Sequence, residues 1–251
     1  MVKTSKPTFR SKLKRIILIT GAILLIALAA FYAYVLVQTY PAEDTYLLEI
    51  EAKETLEIDE KNRVFVITPA DINSTHPAII FYPGGLVAPE AYLYKMGHVA
   101  ECLQATVYVI KAPFNAAIFD INAAARVIDN FNLETTWVGG HSLGGISAAR
   151  FTAGNMDKVE GLFLFGSYSD QDLSSFKGEV VSIMGDQDLI INRKNYEEAK
   201  KNLPPQAKVI EVEGLNHSDF GNYGLQSGDG ASSLSEEEII EIICRSFEEH
   251  F

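Results

Sequence analysis

Residues 139–145 read Gly-Gly-His-Ser-Leu-Gly-Gly, one serine hydroxyl framed by four glycines. Glycine costs backbone entropy in any regular element, so the cluster answers a geometric demand. A β-branched and aromatic run, TTWVG (135–139), leads into it, and a helix-forming run, ISAARFTA (146–153), leads out. Gly140-His141-Ser142-Leu143-Gly144 fits G-x-S-x-G, in which a serine sits on a strained strand-to-helix turn with its hydroxyl exposed. Glycines two before and two after the serine let strand and helix pass where a Cβ would clash, and Gly139 and Gly145 widen that clearance. The free N–H groups and dipole of the following helix point toward any negative charge formed at the turn. A phosphate-binding loop is the rival reading, but it requires Gly-Lys-Ser/Thr, which the chain lacks here.

The rest of the chain supplies the scaffold that such a turn needs. YLLEIEA (46–52) and RVFVITPA (63–70) read as antiparallel opening strands, followed by AIIFY (78–82), TVYVI (106–110), TTWVG, GLFLF (161–165), VVSIM (180–184) and KVIEVE (208–213). Helical patterns lie between them near 89–104, 120–131, 142–154, 193–202 and 235–249. This alternation predicts an α/β fold with a mainly parallel, doubly wound sheet, and strands apolar at nearly every position predict helices on both faces. Ligands of such sheets bind beyond the carboxyl ends of the strands.

Those ends carry the chemistry. A serine hydroxyl becomes a nucleophile only when a base takes its proton, and the base needs an orienting carboxylate. Gly185-Asp186-Gln187-Asp188 follows VVSIM, and Gly214-Leu215-Asn216-His217 follows KVIEVE, which gives the chain order Ser, Asp, His. Among five histidines, His141 is locked in the turn, His98 lies in a helical pattern, His76 precedes a proline and His250 is terminal; only His217 follows a strand after both serine and acid. Asp188 precedes Leu189-Ile190-Ile191 at the turn back toward the core and is the expected acid, with Asp186 supporting the loop by local backbone hydrogen bonds. An oxyanion needs two backbone donors. The N–H of Leu143 is one; the other is expected from Gly85 or Leu86 in Phe81-Tyr82-Pro83-Gly84-Gly85-Leu86.

These residues together resemble the α/β-hydrolase superfamily, and more closely its alpha/beta hydrolase fold-5 family. The segments that carry the likeness are FYPGGLVAPEAY (81–92), KAPFNAAIFD (111–120), WVGGHSLGG (137–145), GDQD (185–188) and GLNHSDFGNYG (214–224), spanning roughly residues 60–225. The resemblance implies a serine hydrolase with roles for Ser142, Asp188 and His217, and implies that Phe114 and Asn115 shape the pocket floor. The related dienelactone hydrolases use a cysteine nucleophile; serine here argues against that type of lactone substrate. Only GSYSDQDLSSFK (166–177) separates two of the strands, too little for a helical cap domain, so a shallow pocket is expected. The loop at 218–233 could drape over it, with Phe220 and Tyr223 as walls or as pins for the loop.

Ahead of this domain, residues 16–37 form an uncharged apolar run that as a helix reaches about 33 Å, enough to cross a bilayer. Lys3, Lys6, Arg10, Lys12, Lys14 and Arg15 precede it and no acidic residue occurs before Glu43, which places the N-terminus in the cytoplasm and the rest outside. The expected organisation is a basic segment (1–15), a transmembrane signal anchor (16–38), a linker and opening strand (39–59) and the catalytic domain (60–251). A signal peptide cleaved near Ala27-Leu28-Ala29 is the alternative. The six basic residues of the first segment leave 15 Lys and Arg against all 33 Asp and Glu on residues 41–251, a formal charge of −18. Nucleic acid and an anionic lipid surface are therefore poor partners for the folded part. Cys102 and Cys244 leave a disulfide and two buried thiols equally open.

The sequence thus predicts a membrane-tethered, outward-facing serine hydrolase without metal or organic cofactor, acting on a small-molecule or lipid-like acyl ester. An acyltransferase using the same three residues and a catalytically silent envelope binding protein are the alternatives.

Overall fold

The computed structural model describes residues 9–73 and 75–247; Lys3, Lys6 and His250 lie outside them. The chain forms two compact units, residues 1–39 and 40–251. The described part of the first is helix α1 (Phe9–Gln38). Within its Lys12–Gln38 stretch an 18-residue window reaches a mean hydropathy of 2.6, which fits a transmembrane helix or signal anchor.

The second unit is an eight-stranded sheet in the order β1-β2-β4-β3-β5-β6-β7-β8. The strands are β1 (Leu56–Lys61), β2 (Val64–Pro69), β3 (Ala78–Tyr82), β4 (Val107–Ile110), β5 (Thr136–His141), β6 (Gly161–Phe165), β7 (Glu179–Gly185) and β8 (Lys208–Val212). Strand β2 pairs antiparallel with β1 and β4, and every other pairing is parallel. Side-chain alternation gives the sheet two apolar faces. Along β6, Phe163 and Phe165 enter one core while Leu162 and Leu164 enter the other, all at most 1% exposed. The first core is covered by α2 (Asp44–Glu51), α3 (Leu93–Leu103) and α7 (Glu236–Phe247), the second mainly by α4 (Ala123–Phe131) and α5 (Leu143–Gly154); α6 (Arg193–Ala199) links β7 to β8.

One element departs from the sequence reading. YLLEIEA is not an opening strand but most of helix α2, and the true first strand is LEIDEK at 56–61. Tyr46, Leu47 and Ile50 share a helical face toward the core while Leu48 stays 67% exposed. Ile50 fits because α3 carries Gly97 beneath it; a Cβ there would stand 2.7 Å from Ile50 Cδ1. Cys102 and Cys244 are joined in a disulfide that ties α3 to α7. The same two helices share an ion pair between buried Lys95 and half-buried Glu236, and Lys95 also donates to Asn222 Oδ1 at 3.3 Å, strapping the loop after β8. Between β6 and β7 no helix forms, so no cap domain stands there.

Candidate active site

Ser142 joins β5 to α5 with φ 52° and ψ −123°, a left-handed conformation that costs a non-glycine residue about 1–3 kcal/mol and persists only where the surroundings hold it. The surroundings are visible. Its N–H donates to Phe165 O at 3.0 Å, and Ser167 Oγ donates to its carbonyl at 2.7 Å. Glycines on either side are required by close approach: a Cβ at Gly140 or Gly144 would stand 2.3 or 2.0 Å from the Tyr82 carbonyl oxygen. Leu143 opens α5, so its N–H has no intrahelical acceptor.

Asp188 and His217 arrive from the loops after β7 and β8. Both side chains are fully buried, with His217 Nδ1 2.7 Å from Asp188 Oδ2. The other oxygen of Asp188 accepts the N–H groups of Ile190 (3.0 Å) and Ile191 (2.9 Å), which fixes the carboxylate. Asp186 instead accepts the Gly214 N–H at 2.8 Å and holds the two loops together. His217 Nε2 is buried and carries no hydrogen bond among the described residues, so its link to Ser142 Oγ is not made in this structure. The ring of His141, the residue before Ser142, lies 4.4 Å from the His217 ring. The other two described histidines are elsewhere, His98 beside Lys53 and Glu101, His76 on the Leu103 carbonyl.

The loop after β3 changes two expectations. The Leu86 N–H donates to the Asn115 carbonyl at 2.7 Å, so Leu86 is not free to serve an oxyanion, and Gly85 is the remaining expected donor. Gly85 faces Leu143, where a Cβ would stand 3.0 Å from Leu143 Cδ2. Phe114 and Asn115 both take positive φ, 56° and 49°. Asn115 meets the loop after β3 through its backbone carbonyl, and Phe114 lies 42% exposed at 5.9 Å from Phe119. Phe220 is no pocket wall: it is fully buried, stacked on Phe165 at 5.2 Å. Tyr223, 5% exposed, is likewise a pin for its loop. A recess of about 320 Å³ lined by Glu43, Asp219 and Glu236 includes none of Ser142, Asp188 and His217.

Three contributors escape the sequence reading. Asp229 accepts the backbone N–H groups of Leu189, His217 and Ser218 and so joins the loops that carry Asp188 and His217. Gly166, after β6, leaves room for the His217–Asp188 pair. Tyr92 bonds the loop after β3 to His141. Burial, then the His217 charge, drives the His141 imidazole well below its ordinary value, and burial drives the Tyr92 phenol far up. A strand-end position marks Gly166 in the sequence; nothing comparable marks Asp229 or Tyr92. Among the described residues, no group of three or more His, Cys, Asp or Glu could hold a metal ion.

The model of the Alpha/beta hydrolase family matches residues 78–241. Comparison with curated protein sequences gives no match. Among solved structures, carboxylesterase CesB from Bacillus subtilis superposes with a TM-score of 0.53 at 14% identity, over 69% of this chain and 90% of its own. A protein described as a predicted CIB-like hydrolase from Thermoplasma acidophilum gives 0.57 at 15%, over 77% and 97%. Est1E from Butyrivibrio proteoclasticus, solved with ferulic acid bound, gives 0.55 at 14%, over 77% and 98%. At these identities the likeness is one of fold.

Proposed function

This chain belongs to the alpha/beta hydrolase family, and from that premise we propose that it hydrolyses carboxylic esters through a Ser142-Asp188-His217 triad. The observation that carries the reading is the buried 2.7 Å His217–Asp188 contact, with Nε2 of the same ring unpartnered and the ring 4.4 Å from that of His141, the residue before the strained Ser142. Asp188 fixes the tautomer with the proton on Nδ1, which leaves Nε2 as the acceptor. Rotation of Ser142 Oγ onto Nε2 lets His217 take the hydroxyl proton as oxygen attacks the ester carbonyl. The Leu143 and Gly85 N–H groups stabilise the oxyanion, His217 then protonates the leaving alcohol, and water attacks the acyl-enzyme by the same route in reverse. The carboxylesterase and the ferulic-acid complex among the proteins of like fold support ester as the substrate class.

The same reading places the catalytic unit outside the cytoplasm, tethered by α1. Basic residues before the apolar helix orient it by the positive-inside rule, and the Cys102–Cys244 bridge suits an oxidising compartment. The test is Ser142→Ala in the full-length protein. Turnover of p-nitrophenyl butyrate should fall by about 10⁴-fold or more and fluorophosphonate labelling should vanish, with an unchanged thermal midpoint. Turnover that survives the substitution removes the mechanism.

A further inference from the structure

Two buried polar side chains beside the proposed triad have no part in the acylation and deacylation steps: Tyr92, 0% exposed, and His141, 1% exposed. The Gly84 N–H donates to Tyr92 Oη at 3.0 Å. The phenol's single proton is then directed to its other neighbour, His141 Nδ1, at 2.8 Å. His141 therefore holds its own proton on Nε2, and both groups are neutral in their dry surroundings. Gly84 must be glycine for this contact, because a Cβ would stand 2.7 Å from Tyr92 Oη and 2.9 Å from His141 Nδ1.

The two ends of this short chain are covalently next to the reacting groups. Gly84 precedes Gly85, the proposed oxyanion donor, and His141 precedes Ser142 while its ring lies 4.4 Å from that of His217. One hydroxyl thus sets the separation between the oxyanion loop and the serine turn, and the His141 ring is the surface against which the His217 imidazolium would form. We infer that Tyr92 and His141 are a coupled pair of positioning residues that hold the Gly85 N–H at working distance from the oxyanion; the inference rests on the triad reading above. An oxyanion donor acts only in the transition state, so a loop that shifts by a fraction of an ångström loses kcat and leaves KM alone.

Tyr92→Phe in the full-length protein keeps the ring against Phe81 (4.9 Å) and Tyr223 (6.3 Å) and removes only the hydroxyl. Its kcat for p-nitrophenyl butyrate should fall by about 10- to 100-fold with KM within about twofold. Affinity for a trifluoromethyl ketone, which forms the tetrahedral adduct, should fall by the same factor as kcat/KM. A merely structural role would not produce that match. His141→Phe should reproduce the defect, His141→Gln, which restores an acceptor for the phenol, should recover part of it, and the Tyr92→Phe/His141→Phe double variant should be no worse than either single one. A kcat within about twofold of wild type in Tyr92→Phe, or a loss expressed in KM, overturns the inference while Ser142-dependent turnover stands. If Tyr92→Phe does not fold, equal activities of His141→Gln and His141→Phe overturn it. Wild-type turnover that survives Ser142→Ala brings down the triad reading and this inference together.

Discussion

Asp229 accepts the backbone N–H of His217 at 3.3 Å, and the same oxygen accepts that of Leu189, the residue after Asp188, at 3.3 Å. Its other oxygen takes the N–H and the hydroxyl of Ser218 at 2.8 and 2.7 Å. One carboxylate therefore sets the spacing of the two loops that bring Asp188 and His217 together. Asp229→Asn turns an NH₂ toward backbone donors on at least one side. The expected outcome is a loss of about 1–3 kcal/mol in urea unfolding, together with a roughly 10-fold fall in kcat on p-nitrophenyl butyrate. A variant that loses stability but keeps kcat would show that the spacing is set elsewhere.

Gly166 follows β6 and packs against the His217–Asp188 pair. Its φ is +46°, and a Cβ would stand 3.0 Å from His217 Nδ1, 3.1 Å from Asp188 Oδ2 and 3.2 Å from Phe220 Cε2. Gly166→Ala combines backbone strain of about 1–3 kcal/mol with pressure on the hydrogen-bonded pair. Because misplacement near 1 Å costs about 10²-fold, kcat/KM should fall by that order, beyond what the thermal midpoint suggests. Steady-state kinetics at a temperature well below the unfolding transition checks it.

How far the sequence discloses such features follows from what each one depends on. GLFLF announces a strand buried on both faces because all five positions are apolar, and the pleat sends Phe163 and Leu164 into opposite cores. The strand ends then point to Ser142, Asp188 and His217 as candidates, since the parallel topology fixes where those ends collect. YLLEIEA misleads because Tyr46, Leu48 and Ile50 alternate as a strand while Tyr46, Leu47 and Ile50 share a helix face. Gly97, 47 residues away on another helix, provides the space that favours the second. Asp229 and the Asn115 carbonyl act through irregular loops, whose contacts follow no periodicity, so neither partner of His217 or Leu86 could be read in advance.

Acid should destabilise the protein through the buried His141 and half-buried His98 imidazoles. Burial, and next the His217 charge, lowers the His141 value well below 6.5; burial and then Lys53 lower that of His98. Unfolding restores both to about 6.5, so below that pH the unfolded chain binds protons that the native state does not. The stability from keeping His141 neutral is complete above pH ~6.5 and is lost as pH falls from there toward the depressed native value. For His141 the slope approaches about 1.4 kcal/mol per pH unit. Urea unfolding at pH 7.5 and 5.5 should show the decline, and His141→Gln should flatten it. An equal decline in His141→Gln would assign the effect to other groups.

The Cys102–Cys244 bridge closes a loop of 142 residues between α3 and α7. Constraining so long a loop removes much of the unfolded chain's freedom, which corresponds to about 4–5 kcal/mol in the chain-entropy account and typically about 2–4 in practice. Helix α7 is the last described element and covers one face of the sheet through Ile239, Ile243 and Phe247, with Lys95–Glu236 as its second tie to α3. Reduction, or Cys244→Ser, should therefore lower the unfolding free energy by about 2–5 kcal/mol. Turnover below the transition should stay within about twofold, because the bridge joins covering helices and not the loops that carry Asp188 and His217. Urea midpoints with and without dithiothreitol measure the first effect, and p-nitrophenyl butyrate turnover on the same samples measures the second. A reduced protein that unfolds at the oxidised midpoint would show that the apolar contacts of α7 alone secure that face.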